Sequence, residues 1–338
     1  MVYKYSDPLD VLMVAHNDWA NTGFRFSKCL RTLGINALSI KAEYHQFLYP
    51  EQSIVHPELL GVKNARFPSM QALIDHSKII HFIGSTWIDD IEKSGKTLVM
   101  QHGGSNYRQN YKMLNDLYAD FTTATIIQCP DLLGLGAKNE HLIYYPVDTD
   151  YIKPTKKLEF PLIIGHFPSN PEVKGTKGIL EVINKLEHSK YNKYFKYIGV
   201  RSSEYTDDFV NKYSVNWMAN LKRVSECDVI IETCNPSLEG KVFGEWGNTA
   251  IEAAAMGKLV ISNSLAYETY IDNYGCNPGI HIANTPEHIE THLENIFSLS
   301  GEELNLRAED TLKWVIANHS IEATAQRLWT KIYKELIC

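Results

Sequence analysis

Short apolar runs separated by polar loops and amphipathic stretches recur along the first part of the chain. They lie at Val11–Ala15, Ala37–Ile40, Ile79–Ile83, Leu98–Met100, Ala124–Ile127 and Leu142–Tyr145. Runs that are apolar throughout, rather than alternating, suit strands buried on both faces of a parallel sheet. After the first run, the polar loop His16 to Gly23 leads into a stretch where Phe26, Cys29, Leu30 and Leu33 fall at helical spacing, a β-loop-α unit. The alternation predicts a parallel sheet with helices on both faces. Gly84 and Ser85 follow the strand holding His81, and Gly104 and Ser105 follow the strand ending in His102. Small residues at the carboxyl ends of parallel strands line crevices.

The pattern breaks between Pro146 and Pro161, where the residues are polar, prolines punctuate them and no period survives, so this stretch reads as an interdomain linker. It then restarts with a strand at Leu162–Gly165, a helix carrying Ile179, Val182, Ile183 and Leu186, and strands near Tyr197–Val200, Val229–Ile231 and Ile280–Ala283. Ala325, Leu328, Trp329, Ile332, Tyr333 and Leu336 put an apolar stripe on the last helix. We therefore expect an α/β protein with two domains, 1–150 and 151–322, and a terminal helix over 323–338 whose stripe permits it to cross back to the first. No repeat of solenoid period and no low-complexity tract is visible.

The densest stretch is Phe243 to Ser264, FGEWGNTAIEAAAMGKLVISNS. Thr249 and Glu252 stand as T-x-x-E, which predicts a capping box opening a helix, and Gly257 predicts its stop. Leu259, Val260 and Ile261 read as the next buried strand, and Ala253 to Ala255 leave little bulk between helix and sheet. A helix N-terminus with bare amides at such a place favours an anion. Glu252 has two readings: it caps its own helix, or it reaches a ligand hydroxyl.

At 338 residues and 44% hydrophobic content the chain has enough material for two cores. No apolar run is long enough to cross a membrane, and the N-terminus carries Lys4, Asp7 and Asp10 rather than a charged start before an apolar stretch, so the expectation is a soluble, cytoplasmic protein. Cys29, Cys129, Cys227, Cys234, Cys276 and Cys338 are scattered without C-x-x-C spacing, which reads as reduced, structural thiols, and the last is placed wrongly for prenylation. A net charge of -7 argues against general nucleic-acid binding, so any phosphate site must be built locally.

Gly165-His166-Phe167-Pro168-Ser169-Asn170 closes the first strand of the second domain and Lys174-Gly175-Thr176-Lys177-Gly178 opens its first helix, in outline a phosphate site. Gly175 lets backbone approach closely, Thr176 can cap the helix, bare amides favour an anion and Lys174 supplies a point charge. The bland alternative is a solvated lysine beside an ordinary cap. Arg201, after a strand, reads equally as a second phosphate charge or as a surface ion pair. His102, in Q-H-G-G, stands where Gly103 and Gly104 would admit a ligand, although a lone strand-end histidine is more often structural. His16 and the loop to Gly23 read as a ligand-contacting loop or as a plain connection, and Tyr44, His45, Phe47 and Tyr49 as ligand-stacking rings or packing. The one D-x-D triplet, Asp148-Thr149-Asp150, lies in the linker and reads as a solvated pair. No metal constellation, nucleophile elbow or P-loop is present, so no metal or other cofactor is expected.

The stretch G-x-W-G-N-x-x-x-E-A-x-A-M-G-K-x-V-I resembles the signature of family 4 nucleotide-sugar glycosyltransferases. The likeness spans most of the chain, clearest from His166 to Ser264 and weaker before residue 150. It implies the GT-B fold, two Rossmann-like parallel-sheet domains facing a cleft in which donor and acceptor meet. It further implies Lys174 on the donor diphosphate, Glu252 on the ribose, His102 against the donor sugar, the acceptor-side loop from His16 to Gly23 against the acceptor or the pyrophosphate, aromatic rings at Tyr44 to Tyr49 that would stack on sugars, and Gly247, Asn248 and Thr249 near the phosphates or sugar. Many relatives carry an arginine before the lysine; here Ser169 and Asn170 occupy the region and would donate to phosphate oxygens instead, with Arg201 as a second charge. Relatives also carry two glutamates separated by seven residues, the first meeting the sugar. Here Gly244 stands at that place and Glu245 is one residue late, so Glu245 is either a displaced sugar contact or a solvated turn residue.

The function so implied is a metal-independent, retaining hexosyl-type glycosyltransferase. It would move a sugar from a nucleoside-diphosphate donor to a glycan or other hydroxyl acceptor in glycan biosynthesis, with no nucleic-acid partner. The alternatives are a nucleotide-sugar epimerase or hydrolase on the same fold, or a non-catalytic sugar-nucleotide-binding subunit.

Overall fold

The computed structural model describes residues 8–64, 67–88, 94–213, 215–235, 237–238, 241–242 and 244–337. Lys4, Asp7, Phe243 and Cys338 lie outside the described residues. The chain divides into two compact units, one running to Pro146 and resuming at Ser320, the other comprising Val147–His319.

In the first unit, β1 (Leu9–Ala15), α1 (Thr22–Thr32), β2 (Ala37–Lys41), β3 (Ile54–Val55), α2 (Met70–His76), β4 (Ser77–Ile83), β5 (Thr97–His102), α3 (Gly104–Tyr118), β6 (Ala124–Ile127) and β7 (Glu140–Leu142) follow in order. The strands form a parallel sheet ordered β3-β2-β1-β4-β5-β6-β7. Alternate residues of each strand enter opposite layers. Leu12, Val14, Ile80, Phe82 and Met100 pack on one face. Val11, Met13, Ile79, Ile83 and Val99 pack on the other. That two-sided burial is why the runs are continuously apolar. Strand order reverses between β1 and β4, which opens a crevice at their carboxyl ends.

The terminal stripe completes this unit. α11 (Ile321–Leu328), a π-helical turn (Trp329–Tyr333) and α12 (Lys334–Ile337) run to the end of the described chain. Ile321, Ala325, Leu328, Ile332 and Tyr333 are buried with Phe26, Cys29 and Leu30 of α1. The Tyr333 hydroxyl and His81 Nδ1 share a buried 2.6 Å hydrogen bond.

The second unit carries β8 (Leu162–His166), α4 (Thr176–Glu187), β9 (Phe195–Gly199), α5 (Asp207–Tyr213), α6 (Trp217–Glu226), β10 (Val229–Thr233), β11 (Ser237–Leu238), β12 (Lys241–Val242), α7 (Asn248–Ala255), β13 (Leu259–Ser262), α8 (Tyr267–Tyr274), β14 (His281–Ile282), α9 (Pro286–Phe297) and α10 (Gly301–His319). Its main sheet is parallel, ordered β14-β13-β10-β8-β9, with the reversal between β8 and β10. The stripe Ile179, Val182, Ile183 and Leu186 on α4 packs with Ile289, Leu293 and Ile296 of α9 in its core. Two α/β domains with parallel sheets are thus present.

Two local expectations are corrected. β7 ends at Leu142 instead of beginning there. Ile143 still donates to Ile127 (2.9 Å), but the chain then approaches Pro146, which has no N–H for a ladder. The stretch read as a polar linker packs on the second unit: Val147, Asp148, Ile152 and Leu158 are buried. Val147 N–H donates to His319 (2.7 Å), Thr155 N–H to Met256 (3.1 Å), and Leu158 N–H to the Asn305 side chain (3.0 Å). Isolated apolar residues filling separate holes leave no period for a sequence reading to detect. Asp148 is accordingly no solvated acid; it is buried and accepts the Asp150 N–H at 3.1 Å. Among the described residues, no helix is long and apolar enough to cross a membrane.

Candidate functional site

The crevice of the second unit is built at the ends of β8 and β10. His166, the last residue of β8, is buried; its Nδ1 bonds the Ile231 carbonyl (2.8 Å) and its Nε2 the Thr176 hydroxyl (2.9 Å). A carbonyl only accepts, so the ring proton lies on Nδ1 and the Thr176 hydroxyl donates to Nε2. Burial pushes the imidazole pKa down to about 4, leaving it neutral near pH 7. This neutral ring ties β8, β10 and α4 together at the point where the crevice begins.

Between β8 and α4 the chain makes a tight turn. The Asn170 side-chain oxygen accepts the N–H groups of Glu172 (3.1 Å) and Val173 (3.2 Å), and its carbonyl accepts Lys174 N–H (3.1 Å). Through these two oxygens Asn170 shapes the turn that presents Lys174, and Ser169 is exposed. The Thr176 cap is corrected: the N-cap is Gly175, left-handed at φ 66°, and Thr176 is the first helical residue with its N–H on Pro171 (2.9 Å). The hydroxyl is drawn to His166 instead.

Lys174 forms an ion pair with Glu232, a penultimate strand residue of β10 whose side chain is only 4% exposed. The other Glu232 oxygen accepts the Ser262 hydroxyl (3.0 Å) and the Gly247 N–H (3.4 Å). One buried carboxylate therefore gathers the turn after β8, the end of β13 and the start of α7. A Cβ at Gly247 would lie 3.1 Å from Glu232 Oε1 and 3.7 Å from Lys174 Nζ, so the missing side chain brings the helix N-terminus onto the charged pair. Glu232 was not among the candidate residues; the available signal was an acid closing the otherwise apolar run Val229–Ile231.

The predicted capping box is also corrected. α7 begins at Asn248 with Gly247 as N-cap and no side-chain cap, because Thr249 already lies inside the first turn. Gly257 does follow the helix, in the left-handed region at φ 73°. Asn248 Oδ1 is buried without a hydrogen-bond partner. Such an atom beside a helix N-terminus is a place where a ligand or water completes the bonding. Glu252 is buried and accepts Trp217 Nε1–H at 2.9 Å, so the carboxylate is oriented by α6.

Glu245 is buried and not a solvated turn residue. It accepts the Ser264 hydroxyl, and its other oxygen accepts Leu265 N–H (3.0 Å) and Ala266 N–H (2.9 Å). It thereby fixes the loop between β13 and α8. Arg201 makes a two-point ion pair with Glu187 (2.8 and 3.0 Å) and lies over the Tyr197 ring at 4.6 Å. With 55% of its side chain exposed, this is the surface-pair arrangement, worth about 1 kcal/mol or less.

In the first unit, His102 is buried, stacks on Tyr107 with ring centroids 4.2 Å apart, and bonds Ser85 Oγ through Nδ1 (2.8 Å). Burial lowers its pKa to about 4, so it is neutral and suited to hydrogen bonding rather than to carrying charge. His16 is exposed and 3.9 Å from Glu43, while its N–H donates to Thr86 across the β1–β4 crevice (3.0 Å). Gly23 is enclosed: a Cβ would meet Ser39 Oγ at 2.7 Å. Its N–H donates to buried Asp18 (2.6 Å). Among the described residues, no group of three or more His, Cys, Asp or Glu is placed to hold a metal ion.

No protein-family model matches the sequence, and no curated protein matches it. Solved structures do resemble it. A glycosyltransferase from Rickettsia africae is 15% identical, with 97% of this chain and 99% of that chain covered at a TM-score of 0.55. Anabaena HepE, solved with UDP and glucose, is 11% identical over 96% and 99% at 0.58. TarM is 10% identical over 99% and 100% at 0.67. At these identities the likeness establishes the architecture, which is that of the GT-B glycosyltransferases.

Proposed function

We propose that the chain is a nucleotide-sugar glycosyltransferase whose donor binds at the β8–β10 crevice of the second unit. The observation that carries this reading is the meeting of Lys174, Glu232 and the N-terminus of α7, with the unpartnered Asn248 Oδ1 beside them. Lys174 would neutralise the diphosphate, and the backbone of Asn248 and Thr249 would supply helix-end amides to it. Glu232 keeps the ammonium in place before the donor arrives. Glu252, aimed by Trp217, would take ribose hydroxyls. Glu245 would act through the loop it holds; for His102, neutral in the first unit, the resemblance implies a hydrogen-bonding role toward a sugar. The likeness to HepE, solved with UDP and glucose, supports a donor of this class.

The reaction would break the bond between the anomeric carbon and the diphosphate oxygen and form one to the acceptor oxygen. The acceptor's proton would pass to the departing diphosphate, on the same face, as in the retaining family 4 enzymes that the signature resembles. Fixed charge and amides at the leaving group would be the main catalytic term, without a metal ion.

The test is thermal unfolding in EDTA with uridine, guanosine and adenosine diphosphate sugars. One of them, at about 100 times its dissociation constant, should add about 2.7 kcal/mol of stability. Stabilisation that appears only on adding magnesium or manganese would refute the metal-free site. No stabilisation by any donor, with or without metal, would refute the function.

A further inference from the structure

In the β8–β10 crevice, groups suited to a phosphate are already held by a carboxylate. Glu232 Oε1 pairs with the Lys174 ammonium, and Glu232 Oε2 accepts the Ser262 hydroxyl (3.0 Å) and the Gly247 N–H at the head of α7 (3.4 Å). An ammonium, a hydroxyl and a helix-end amide converging on one anion are the partners that a phosphate oxygen takes. Glu232 therefore plays the part of the ligand's anion within the protein itself.

Exposure gives the order of approach. The Lys174 side chain is 23% exposed and that of Glu232 4%, so an incoming anion meets the ammonium first and finds the carboxylate behind it. The carboxylate has little freedom to withdraw. Its strand is paired on both sides, with β8 and with β13, and a Cβ at Gly247 would already lie 3.1 Å from Oε1.

Charge then poses a conflict. The Lys174–Glu232 pair has no net charge, and Arg201, the other cation weighed for a phosphate, is tied to Glu187. A diphosphate brings at least one negative charge on each phosphate. One ammonium would thus stand between two anions in a crevice whose carboxylate is buried, and like charges in contact disfavour both staying ionised. The neighbours of Glu232 supply no positive charge: His166 on the β8 side is neutral, its pKa pushed down to about 4 chiefly by burial, β13 presents the Ser262 hydroxyl and α7 the Gly247 amide. A proton on the carboxylate removes the conflict.

We propose that Glu232 is a proton-coupled stand-in for phosphate: when the donor diphosphate binds, Lys174 passes from Glu232 Oε1 to a phosphate oxygen, and Oε1 takes up a proton from solvent. The new O–H donates to the ligand while Oε2 keeps Ser262 and Gly247. On release the proton returns to solvent, the ion pair re-forms, and Glu232 competes with the departing nucleotide for Lys174. The inference rests on the proposed donor site and adds a proton to its binding equilibrium. Because the complex holds one more proton than its separated parts, binding tightens as pH falls.

The full chain in EDTA is titrated calorimetrically with uridine, guanosine and adenosine diphosphate sugars, in HEPES and in Tris. A sugar-capped diphosphate lacks the terminal phosphate whose second ionisation lies near pH ~6, so buffer-dependent heat reports a proton moved by the protein. The wild type should take up roughly one proton per donor bound at about pH 7.5, and bind more tightly at about pH 6.5 than at about pH 8. Glu232→Gln keeps an acceptor and gains a donor, imitating the protonated carboxyl. It should take up no proton, lose the pH dependence and bind about tenfold or more tightly than the wild type at about pH 8. Its unfolding midpoint shows whether it is folded, and the wild-type proton count decides the matter without it. Donor binding with no proton taken up, uptake that persists in Glu232→Gln, or weaker binding by that variant when folded would each overturn the inference and leave the donor site standing. Binding that needs magnesium or manganese and takes up no proton would overturn it by making Glu232 a neighbour of a metal ion. Failure of every donor to bind the wild type, with or without metal, would overturn the donor site and the inference together.

Discussion

Glu245→Ala is expected to cost about 3 kcal/mol of stability or more, the larger part of it local to the loop between β13 and α8. The buried carboxylate accepts the Ser264 hydroxyl and the amides of Leu265 and Ala266. Removing it leaves these donors to water or to nothing, and each buried unsatisfied donor costs roughly 1–3 kcal/mol. Leu265 is 41% exposed, so its amide can recover part of that from solvent, which keeps the total at the low end of the sum. Hydrogen exchange should show lost protection across Leu265–Tyr274, a more telling readout than a single midpoint in a protein of two units. Glu245→Gln retains an acceptor for the two amides and should be milder. Its turnover separates the two roles: a fall in turnover at near-native stability makes Glu245 a sugar contact, and wild-type turnover confines it to holding the loop. Full protection of the loop in Glu245→Ala would contradict the positioning role.

Gly175→Ala is expected to be at least as damaging, at roughly 3 kcal/mol or more. The residue is left-handed at φ 66°, which costs an alanine about 1–2 kcal/mol. The new Cβ would also press on the Cys234 carbonyl, 2.7 Å from its carbon, and backbone cannot rotate aside as a side-chain tip can. The effect should reach the ligand, because Cys234 N–H donates to the Lys174 carbonyl at 3.0 Å and relieving the clash moves that strand of contacts. Nucleoside diphosphate affinity and stability should fall together. An alanine variant with native stability and affinity would show that the turn is more forgiving than its geometry implies.

Much of the fold was legible in the sequence because two-sided burial writes itself as continuous apolar runs: Val11–Ala15, Ile79–Ile83 and Val229–Ile231 all became central strands. The stripe from Ala325 to Leu336 was legible for the same reason, since a helical period survives wherever a helix has one packed face. The linker was not legible because Val147, Ile152 and Leu158 fill separate holes and share no period. The caps failed differently. Thr249 and Thr176 satisfy a local rule for helix starts, yet Gly247 and Gly175 occupy the cap positions. At Gly175 a side chain would run into the Cys234 backbone, and at Gly247 it would crowd Glu232 Oε1 at 3.1 Å.

The site shows the same division. Lys174 announced itself through its neighbours in sequence, whereas the role of Glu232 depends on a contact between residues 58 apart, which no local pattern encodes. Arg201 and Glu187, 14 residues apart, likewise meet only once the first strand-helix-strand unit of the second domain has folded. Resemblance left Glu245, one residue out of register with Glu252, as either a displaced sugar contact or a solvated turn residue. Its partners, Ser264 to Ala266, are about 20 residues further on and belong to the neighbouring loop.

The most direct test of the donor site is calorimetric titration of the wild type and Lys174→Ala with the nucleoside diphosphate of the most stabilising donor. A charge-assisted hydrogen bond to phosphate is worth roughly 1.5–3 kcal/mol, so the variant should bind about tenfold to a hundredfold more weakly. Removing the lysine leaves Glu232, buried and negative, facing the phosphate, which places the expected loss toward the upper end of that range. Equal affinity in the two proteins, or no nucleotide binding by the wild type, would contradict the assignment of the β8–β10 crevice as the place where a sugar donor is held.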